Sequence, residues 1–237
     1  MRNRCSAQTR PQAEGESGNS GAGAIITARV STITDYAWWK TSGLEWDWFL
    51  AKDRGANDRM RAGTALHEFL EKAGEGEIPE AKVQDIIFVF DCDFQLPIPQ
   101  FREQRRFKDY GELRVTGKTD ALTGKRMADY KLIIDHQVEG EQYMDSYQWR
   151  FYLDIFDADV FDYFIFQAEE VGANILHIKD VHKITMYRYP DLHQDCSDLA
   201  AEFYDAAQRS IELRQIAAAG LEDVRVEDHQ VESTHSR

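Results

Sequence analysis

The sequence predicts a mixed α/β protein in which one sheet is flanked by helices. Amphipathic segments with helical spacing lie near the start, in the middle and at the end of the chain, and the segments between them have strand-like patterns. The predicted order is two helices, a run of antiparallel strands, a helix, two strands and a closing helix. A chain of 237 residues with 43% hydrophobic residues can bury the core of one ordinary domain.

The first helix is expected to be capped by Ser31-Thr32 and interrupted by Gly43. Four tryptophans lie within residues 38–48. Packing against the core is the usual role of such residues, and stacking on nucleic-acid bases is the alternative.

The next helix is predicted over residues 58–73, DRMRAGTALHEFLEKA. Its apolar face is expected to consist of Met60, Ala65, Leu66, Phe69 and Leu70. Gly63 and His67 are four residues apart and share another stripe. Glycine inside a helix costs about 1 kcal/mol relative to alanine. Gly63 therefore requires a reason, such as close approach of a strand or of a substrate backbone.

Strands are predicted for residues 85–94 and 100–110, with Pro97 and Pro99 between them. A hairpin follows within residues 117–131, GKTDALTGKRMADYK, where Thr123-Gly124 marks the turn. Regular alternation is expected along its first strand.

The hairpin carries a candidate catalytic group. Asp129 and Lys131 are two residues apart and should leave the same strand face, and pairing of the two strands can bring Asp120 beside them. Two carboxylates are hard oxygen ligands that suit Mg²⁺ or Mn²⁺. The lysine can orient a water or stabilise charge on a phosphate. Taken alone, the pattern is also common on exposed strands.

The second half of the chain predicts a helix over residues 139–156, strands over 160–167 and 174–189, and a closing helix over 192–216. Gln148 and Tyr152 lie four apart on one stripe of the first of these helices. The inward residues of the closing helix are predicted to be Leu199, Phe203, Ala206 and Ile211.

Composition divides the chain into a disordered tail (1–24), one domain (25–218) and a flexible acidic tail (219–237).

A net charge of −14 is a poor overall signature for a nucleic-acid binder. Residues 102–131 are an exception because they carry only five acids beside a set of basic residues that could form a rim around the candidate site. That set is Arg102, Arg105, Arg106, Lys108, Arg114, Lys118, Lys125, Arg126 and Lys131. The alternative is a solvated strand edge.

The three cysteines, Cys5, Cys92 and Cys196, show neither metal-ligand spacing nor a disulfide framework, which favours a reducing cytoplasm. No apolar run is long enough to span a bilayer, so no membrane partner is expected.

Four motifs occur in one order: Gly63-x-x-x-His67, Gly117-x-x-Asp120, Asp129-x-Lys131 and Gln148-x-x-x-Tyr152. Over roughly residues 31–190 this set resembles the RecB-like branch of the PD-(D/E)XK nuclease superfamily. The resemblance implies a restriction-endonuclease-like αβββαβ core. It also implies a metal-dependent deoxyribonuclease, most similar to stand-alone phage-type exonucleases that act in DNA recombination, repair or turnover in a bacterial or phage-infected cytoplasm.

The resemblance implies a role for each matching residue. Asp120 and Asp129 take the metal-ligand positions, together with His67, and Asp120, Asp129 and Lys131 form the catalytic set. Gln148 and Tyr152 correspond to the helix motif near the DNA strand. Arg105 and Arg106 of the basic segment are further candidate substrate contacts, and Glu103 is a weaker acidic candidate.

The resemblance also implies Mg²⁺ or Mn²⁺ as cofactor and DNA as partner, together with a single-strand annealing or binding protein. An iron–sulfur cluster is not expected because relatives that carry one need four suitably grouped cysteines. Oligomeric state is left open, with a homo-oligomer among the alternatives. Two other functions are weighed: a structure-selective endonuclease of the junction-resolvase kind, and a non-catalytic DNA- or partner-binding domain.

Overall fold

The computed structural model describes residues 26–51, 58–72, 80–95, 98–210, 213 and 215. The predicted tails (1–24 and 219–237), both domain boundaries and the predicted loop at residues 74–79 lie outside this part of the chain. The elements, in chain order, are β1 (Ile26–Arg29), α1 (Val30–Ser42), α2 (Trp46–Ala51), α3 (Asp58–Lys72), β2 (Glu80–Val83), β3 (Ile86–Phe90), β4 (Phe101–Tyr110), β5 (Leu113–Thr123), β6 (Arg126–Ile134), α4 (Gly140–Met144), α5 (Tyr147–Phe156), β7 (Val160–Gly172), β8 (Ile175–Tyr187) and α6 (Leu192–Arg209).

These strands form one mixed sheet in the order β1-β5-β6-β7-β8-β3-β2, with β4 paired to β5. The β1–β5, β6–β7 and β3–β8 pairs are parallel, and the other pairs are antiparallel. The predicted class, a mixed α/β fold with one central sheet flanked by helices, is confirmed. The chain order α3, β4, β5, β6, α5, β7 follows the expected αβββαβ succession.

Helices cover both faces of the sheet and create two cores. On one face α1, α5 and α6 pack around Phe151, Phe161 and Phe203, which are fully buried. On the other face α3 contributes Leu66 and Leu70 to a smaller cluster. Burying each such side chain contributes about 1.5–3 kcal/mol, so both faces stabilise the sheet. Among the described helices, none is both long enough and apolar enough to cross a membrane.

The first helix differs from its prediction at its start. It begins at Val30 with Arg29 as N-cap, and no side chain caps it. Thr32 lies inside the helix and is buried, so the predicted Ser31-Thr32 cap is wrong. Gly43 ends the helix with φ +70, a left-handed conformation that glycine adopts without steric cost.

The tryptophans near this helix end have different environments. Trp39 packs at 4.8 Å between ring centroids from Trp46 and at 5.7 Å from the buried Phe49. Its indole N–H donates to the carbonyl of Leu44. Trp38 is 52% exposed. Core packing is therefore confirmed for Trp39 and Trp46, whereas Trp38 faces solvent.

Three other boundaries were predicted incorrectly. The strand expected at 85–94 ends at Phe90, and it is preceded by β2, which pairs with it as a hairpin. The helix expected at 139–156 is two helices, because Ser146 breaks it and accepts a hydrogen bond from the Gln148 amide at the start of α5. The closing helix ends at Arg209.

Two apolar faces also differ in detail from their predictions. In α3, Met60 is 52% exposed and Ala62 is buried instead. In α6, Ala207 rather than Ala206 is fully buried, and the predicted Ile211 lies outside the described residues.

Candidate active site

Strand β5 pairs with β4 along one edge, but its other edge is locally unpaired. This other edge pairs with β1 over residues 113–116 and with β6 over residues 121–123, which leaves residues 117–120 between the two ladders. If the β5–β6 register continued by one residue, Asp120 would stand opposite Asp129. The two strands therefore separate at the point where the predicted carboxylates lie.

The faces of β5 also reverse across this gap. Val115 belongs to the core under α5, whereas Ala121 belongs to the core under α3. These residues are six apart and would share one face of a regular strand. The neighbouring strand β4 has Glu103 at the same level, with φ +54, a left-handed conformation that is unusual for a residue other than glycine. The alternation predicted for residues 115–120 is present in the burial of β5, and the reversal of faces appears after it, at Ala121.

Side chains replace the missing ladder bonds. The Asp120 Oδ2 atom accepts from the Tyr130 amide at 2.8 Å, and the Tyr152 hydroxyl donates to the Lys118 carbonyl at 2.8 Å. Thr119 donates its hydroxyl to the Ala121 carbonyl at 3.1 Å. Buried backbone groups must be paired, so Asp120 and Tyr152 have a structural role as well as a position in the candidate site.

A hydrogen bond to the backbone of β6 positions the imidazole ring of His67. Its Nε2 atom lies 2.8 Å from the Tyr130 carbonyl oxygen, which can only accept, so Nε2 carries a proton. Its Nδ1 atom faces Asp120 Oδ1 at 3.3 Å. Burial lowers the pKa of His67, but the hydrogen bond to Asp120 and the charges of Asp120 and Asp129 outweigh burial and raise it. Positive charge is therefore favoured at Nδ1.

Asp129 is 6% exposed and lies beside Lys131 on the face covered by α5. Burial raises the pKa of its carboxyl, and the nearby Lys131 offsets only part of this effect. Gln148 donates to Oδ1 at 3.2 Å. Oδ2 lies 2.6 Å from Lys131 Nζ, but no hydrogen bond of ordinary geometry reaches this oxygen, so the contact is an ion pair.

Two glycines of the predicted motifs have different surroundings. A Cβ atom on Gly117 would lie 3.0 Å from Tyr152 Cε1 and 3.3 Å from Val30 Cγ2. Gly117 therefore allows α5 to approach β5 closely enough for Tyr152 to reach the strand. Apart from the backbone of its own helix, no described residue lies within 4 Å of a Cβ atom placed on Gly63, so no strand in the described part of the chain approaches it closely.

The structure brings together six of the predicted site residues, namely His67, Asp120, Asp129, Lys131, Gln148 and Tyr152. Glu103 forms an ion pair with Lys118 at the edge of this group. Arg106 lies apart, since its guanidinium donates to the Phe156 carbonyl and covers the Phe156 ring. Arg105 stands opposite Lys118 in the register of β4 and β5.

The basic rim predicted for residues 102–131 is largely neutralised. Six of its nine members pair with carboxylates: Lys108 with Asp154, Arg114 with Asp109, Lys118 with Glu103, Lys125 with Asp157, Arg126 with Asp162, and Lys131 with Asp129. Arg102 differs because its side chain hydrogen-bonds the phenol of Tyr130. Most of the local positive charge therefore stabilises the protein's own acidic groups.

Two tyrosines near Asp129 were not predicted as neighbours of the site. Burial, followed by the charge of Asp129, raises the pKa of Tyr143 to about 12. The same two causes raise the pKa of the buried Tyr163, which is the β7 partner of Asp129. Tyr143 lies in the predicted helix at residues 139–156 and Tyr163 in the predicted strand at residues 160–167. Their proximity depends on strand pairing and on the break before α5, which local periodicity does not encode.

The donor set fits a hard divalent cation in its chemistry. Asp120 and Asp129 offer carboxylate oxygens, and His67 offers its Nδ1 atom once this nitrogen has lost its proton. Within the described ranges, no three His, Cys, Asp or Glu side chains form a preassembled metal site. The ammonium group of Lys131 lies beside Asp129 Oδ2, so a cation there would have to share this oxygen with it or displace it.

Comparison with known proteins gives only structural similarities. No protein-family model and no curated protein matches the sequence. The alkaline exonuclease LHK-Exo from Laribacter hongkongensis is 13% identical with a TM-score of 0.45, over 84% of this chain and 96% of that chain. Its complex with dAMP gives 12% and 0.44 over the same shares, and the protein SSO0001 gives 14% and 0.45 over 81% and 80%. At these values the similarities carry no argument about function.

Proposed function

We propose that this chain is a metal-dependent deoxyribonuclease of the PD-(D/E)XK superfamily, in its RecB-like branch. The observation that carries the proposal is the convergence of four separated sequence motifs at the gap between β5 and β6. Two carboxylates, an imidazole, an ammonium and a carboxamide meet there. This combination of groups suits hydrolysis of a phosphodiester bond.

A divalent cation held by Asp120, Asp129 and His67 would lower the pKa of a water molecule and neutralise charge on the phosphate. The protein positions each of these groups. Gln148 holds one oxygen of Asp129, and the Tyr130 carbonyl fixes the His67 ring with Nδ1 toward Asp120. Since the Lys131 side chain is 33% exposed, its ammonium can reach from Asp129 toward solvent, where it would orient the water or stabilise the phosphate.

The finer proposal is an exonuclease that acts on DNA ends in recombination, repair or turnover, with a single-strand annealing or binding protein as partner. It rests on the resemblance to stand-alone phage-type exonucleases, by analogy of fold family. A structure-selective endonuclease would need no DNA end. A circular substrate therefore separates the two activities.

The test is digestion of matched linear and covalently closed circular DNA with Mg²⁺ or Mn²⁺. Wild-type protein is expected to degrade linear DNA alone. Lys131→Ala is expected to be inactive because it removes the ammonium beside Asp129. Lys179→Ala removes a lysine of β8 that pairs with Asp91. It is the matched control and should remain active.

Other outcomes would change the proposal. Cleavage of both DNA forms would indicate an endonuclease. Equal activity of wild type and Lys131→Ala would contradict the proposed site. DNA binding without cleavage of either form would support a non-catalytic DNA-binding domain.

A further inference from the structure

One side of the candidate active site is open along α3. Arg59, Gly63 and His67 follow one another at intervals of four residues and therefore lie on neighbouring positions of the helix surface. Within the described part of the chain, nothing outside the backbone of α3 lies within 4 Å of a Cβ atom placed on Gly63. The helix surface thus has a gap between a guanidinium and the imidazole of the site.

Two arginines lie at different ends of this region, Arg59 on α3 itself and Arg102 beside the tyrosine that neighbours His67. The Arg59 guanidinium lies 3.2 Å from His136 Nε2. The Arg102 side chain hydrogen-bonds Tyr130, whose ring centroid is 6.1 Å from that of His67. Among the described residues, no carboxylate pairs with Arg59 or Arg102. A guanidinium is permanently charged and presents its donors in a fork that suits an anion.

We infer that Arg59, the open α3 face at Gly63, and Arg102 form the groove that holds the phosphodiester strand next to Asp120 and Asp129. This inference rests on the proposed function and adds the path of the substrate. Arginine forks match phosphate oxygens, and a helix position without a side chain lets a sugar–phosphate backbone approach closely.

The helix sets the scale of this groove. Eight residues of α-helix separate Arg59 from His67 by about 12 Å along the axis. At roughly 3.4 Å per nucleotide of a B-form strand, this distance corresponds to roughly three or four nucleotides. Arg59 would therefore hold a phosphate several nucleotides from the bond that is cut. Arg102, which reaches the tyrosine beside His67, would hold one closer to that bond.

The charge contribution is measured by titrating fluorescent DNA in EDTA, which prevents metal-dependent cleavage, between 50 and 200 mM salt. Each phosphate contact contributes roughly 0.7–0.9 to the slope of log affinity against log salt. Arg59→Gln and Arg102→Gln are each expected to lower the slope by about this amount. Arg59→Lys should restore most of it. Arg114→Gln, which removes a guanidinium already paired with Asp109, is the matched control and should leave it unchanged.

The steric contribution is measured with Gly63→Leu and Gly63→Ala. Leucine fills the gap and is expected to lose most DNA binding, whereas alanine adds one methyl group in open space and should retain it. Thermal unfolding of both variants shows whether the fold is intact. If Gly63→Leu does not fold, the arginine slopes still decide the inference.

The outcomes separate this inference from the proposed function. If wild-type protein cleaves DNA and the arginine variants keep the wild-type slope, the groove is wrong and the nuclease proposal stands. Wild-type binding by a folded Gly63→Leu would likewise exclude this path. If wild-type protein neither binds nor cleaves DNA, both fail.

Discussion

The close contact of α5 with β5 at Gly117 gives the sharpest stability prediction. In Gly117→Ala the new methyl group would lie 3.0 Å and 3.3 Å from two ring atoms of Tyr152 and 3.3 Å from Val30 Cγ2. Both neighbours are buried, since Tyr152 is 9% and Val30 is 2% exposed. Neither can move into solvent, so the helix and the strand must separate slightly.

The expected size of this effect follows from three terms. Overpacking a buried contact costs about 1–3 kcal/mol. Weakening the hydrogen bond from Tyr152 to the Lys118 carbonyl costs about 1 kcal/mol more. Alanine has less backbone freedom than glycine in the unfolded chain, which favours the folded state by about 0.5–1 kcal/mol. The net loss is about 1–3 kcal/mol, and a domain of this size loses about 2–4 °C in Tm per kcal/mol.

Urea denaturation of wild type, Gly117→Ala and Gly63→Ala tests the prediction. Gly63→Ala is the matched control because no described residue outside the α3 backbone lies within 4 Å of its methyl group, and alanine is the better helix residue. It should gain about 0.5–1 kcal/mol. Opposite signs for the two glycines would support the close contact. A Gly117→Ala protein as stable as wild type would refute it.

Further predictions concern the packing of α1, a buried carboxylate and the candidate site. Trp39→Ala should lower the free energy of unfolding by about 2–4 kcal/mol because it removes a ring from an aromatic cluster. Replacement of the exposed Trp38 by alanine should change this free energy by about 0.5 kcal/mol or less. Urea denaturation measures both values. Asp154→Asn should cost about 3–5 kcal/mol, since this fully buried carboxylate accepts from a lysine, a tyrosine and a histidine. Burial raises the pKa of the Asp154 carboxyl, but its hydrogen bonds outweigh burial and lower this pKa. The charged carboxylate therefore stabilises the folded protein above the unfolded carboxyl pKa of about 3.9, and this stabilisation is lost as pH falls through the lower pKa of the folded state. Acid titration of Asp154→Asn should therefore show a shallower loss of stability than wild type; an identical profile would contradict this assignment. Asp129→Asn should lose DNA hydrolysis while keeping the wild-type far-UV circular dichroism, and an active variant would exclude Asp129 from the site.

The sequence predicted the class of fold, and it predicted which residues of the candidate site share a strand or helix face, because these features depend on local patterns. Asp129-x-Lys131 lies on one strand, and Gln148-x-x-x-Tyr152 lies on one helix, so spacing alone fixes which residues share a face. The interruption of the first helix at Gly43 was also predicted, since glycine is the residue that most easily adopts the left-handed conformation found there.

The parts that were not predicted depend on tertiary contacts. The reversal between Val115 and Ala121 occurs in the stretch where β5 changes its partner from β1 to β6. Neither residue carries a signal for this change. The neutralised rim has the same origin, since Arg126 meets Asp162 only when β6 and β7 pair.

The hydrogen bonds around Tyr130 couple its backbone to two residues of the candidate site. Its amide N–H donates to the Asp120 carboxylate, and its carbonyl oxygen accepts from the His67 imidazole. A ligand that draws Asp120 or His67 away must loosen one of these two bonds. The Tyr130 amide is therefore a natural spectroscopic probe, whose proton chemical shift and solvent exchange rate would follow ligand binding without any added label at the site.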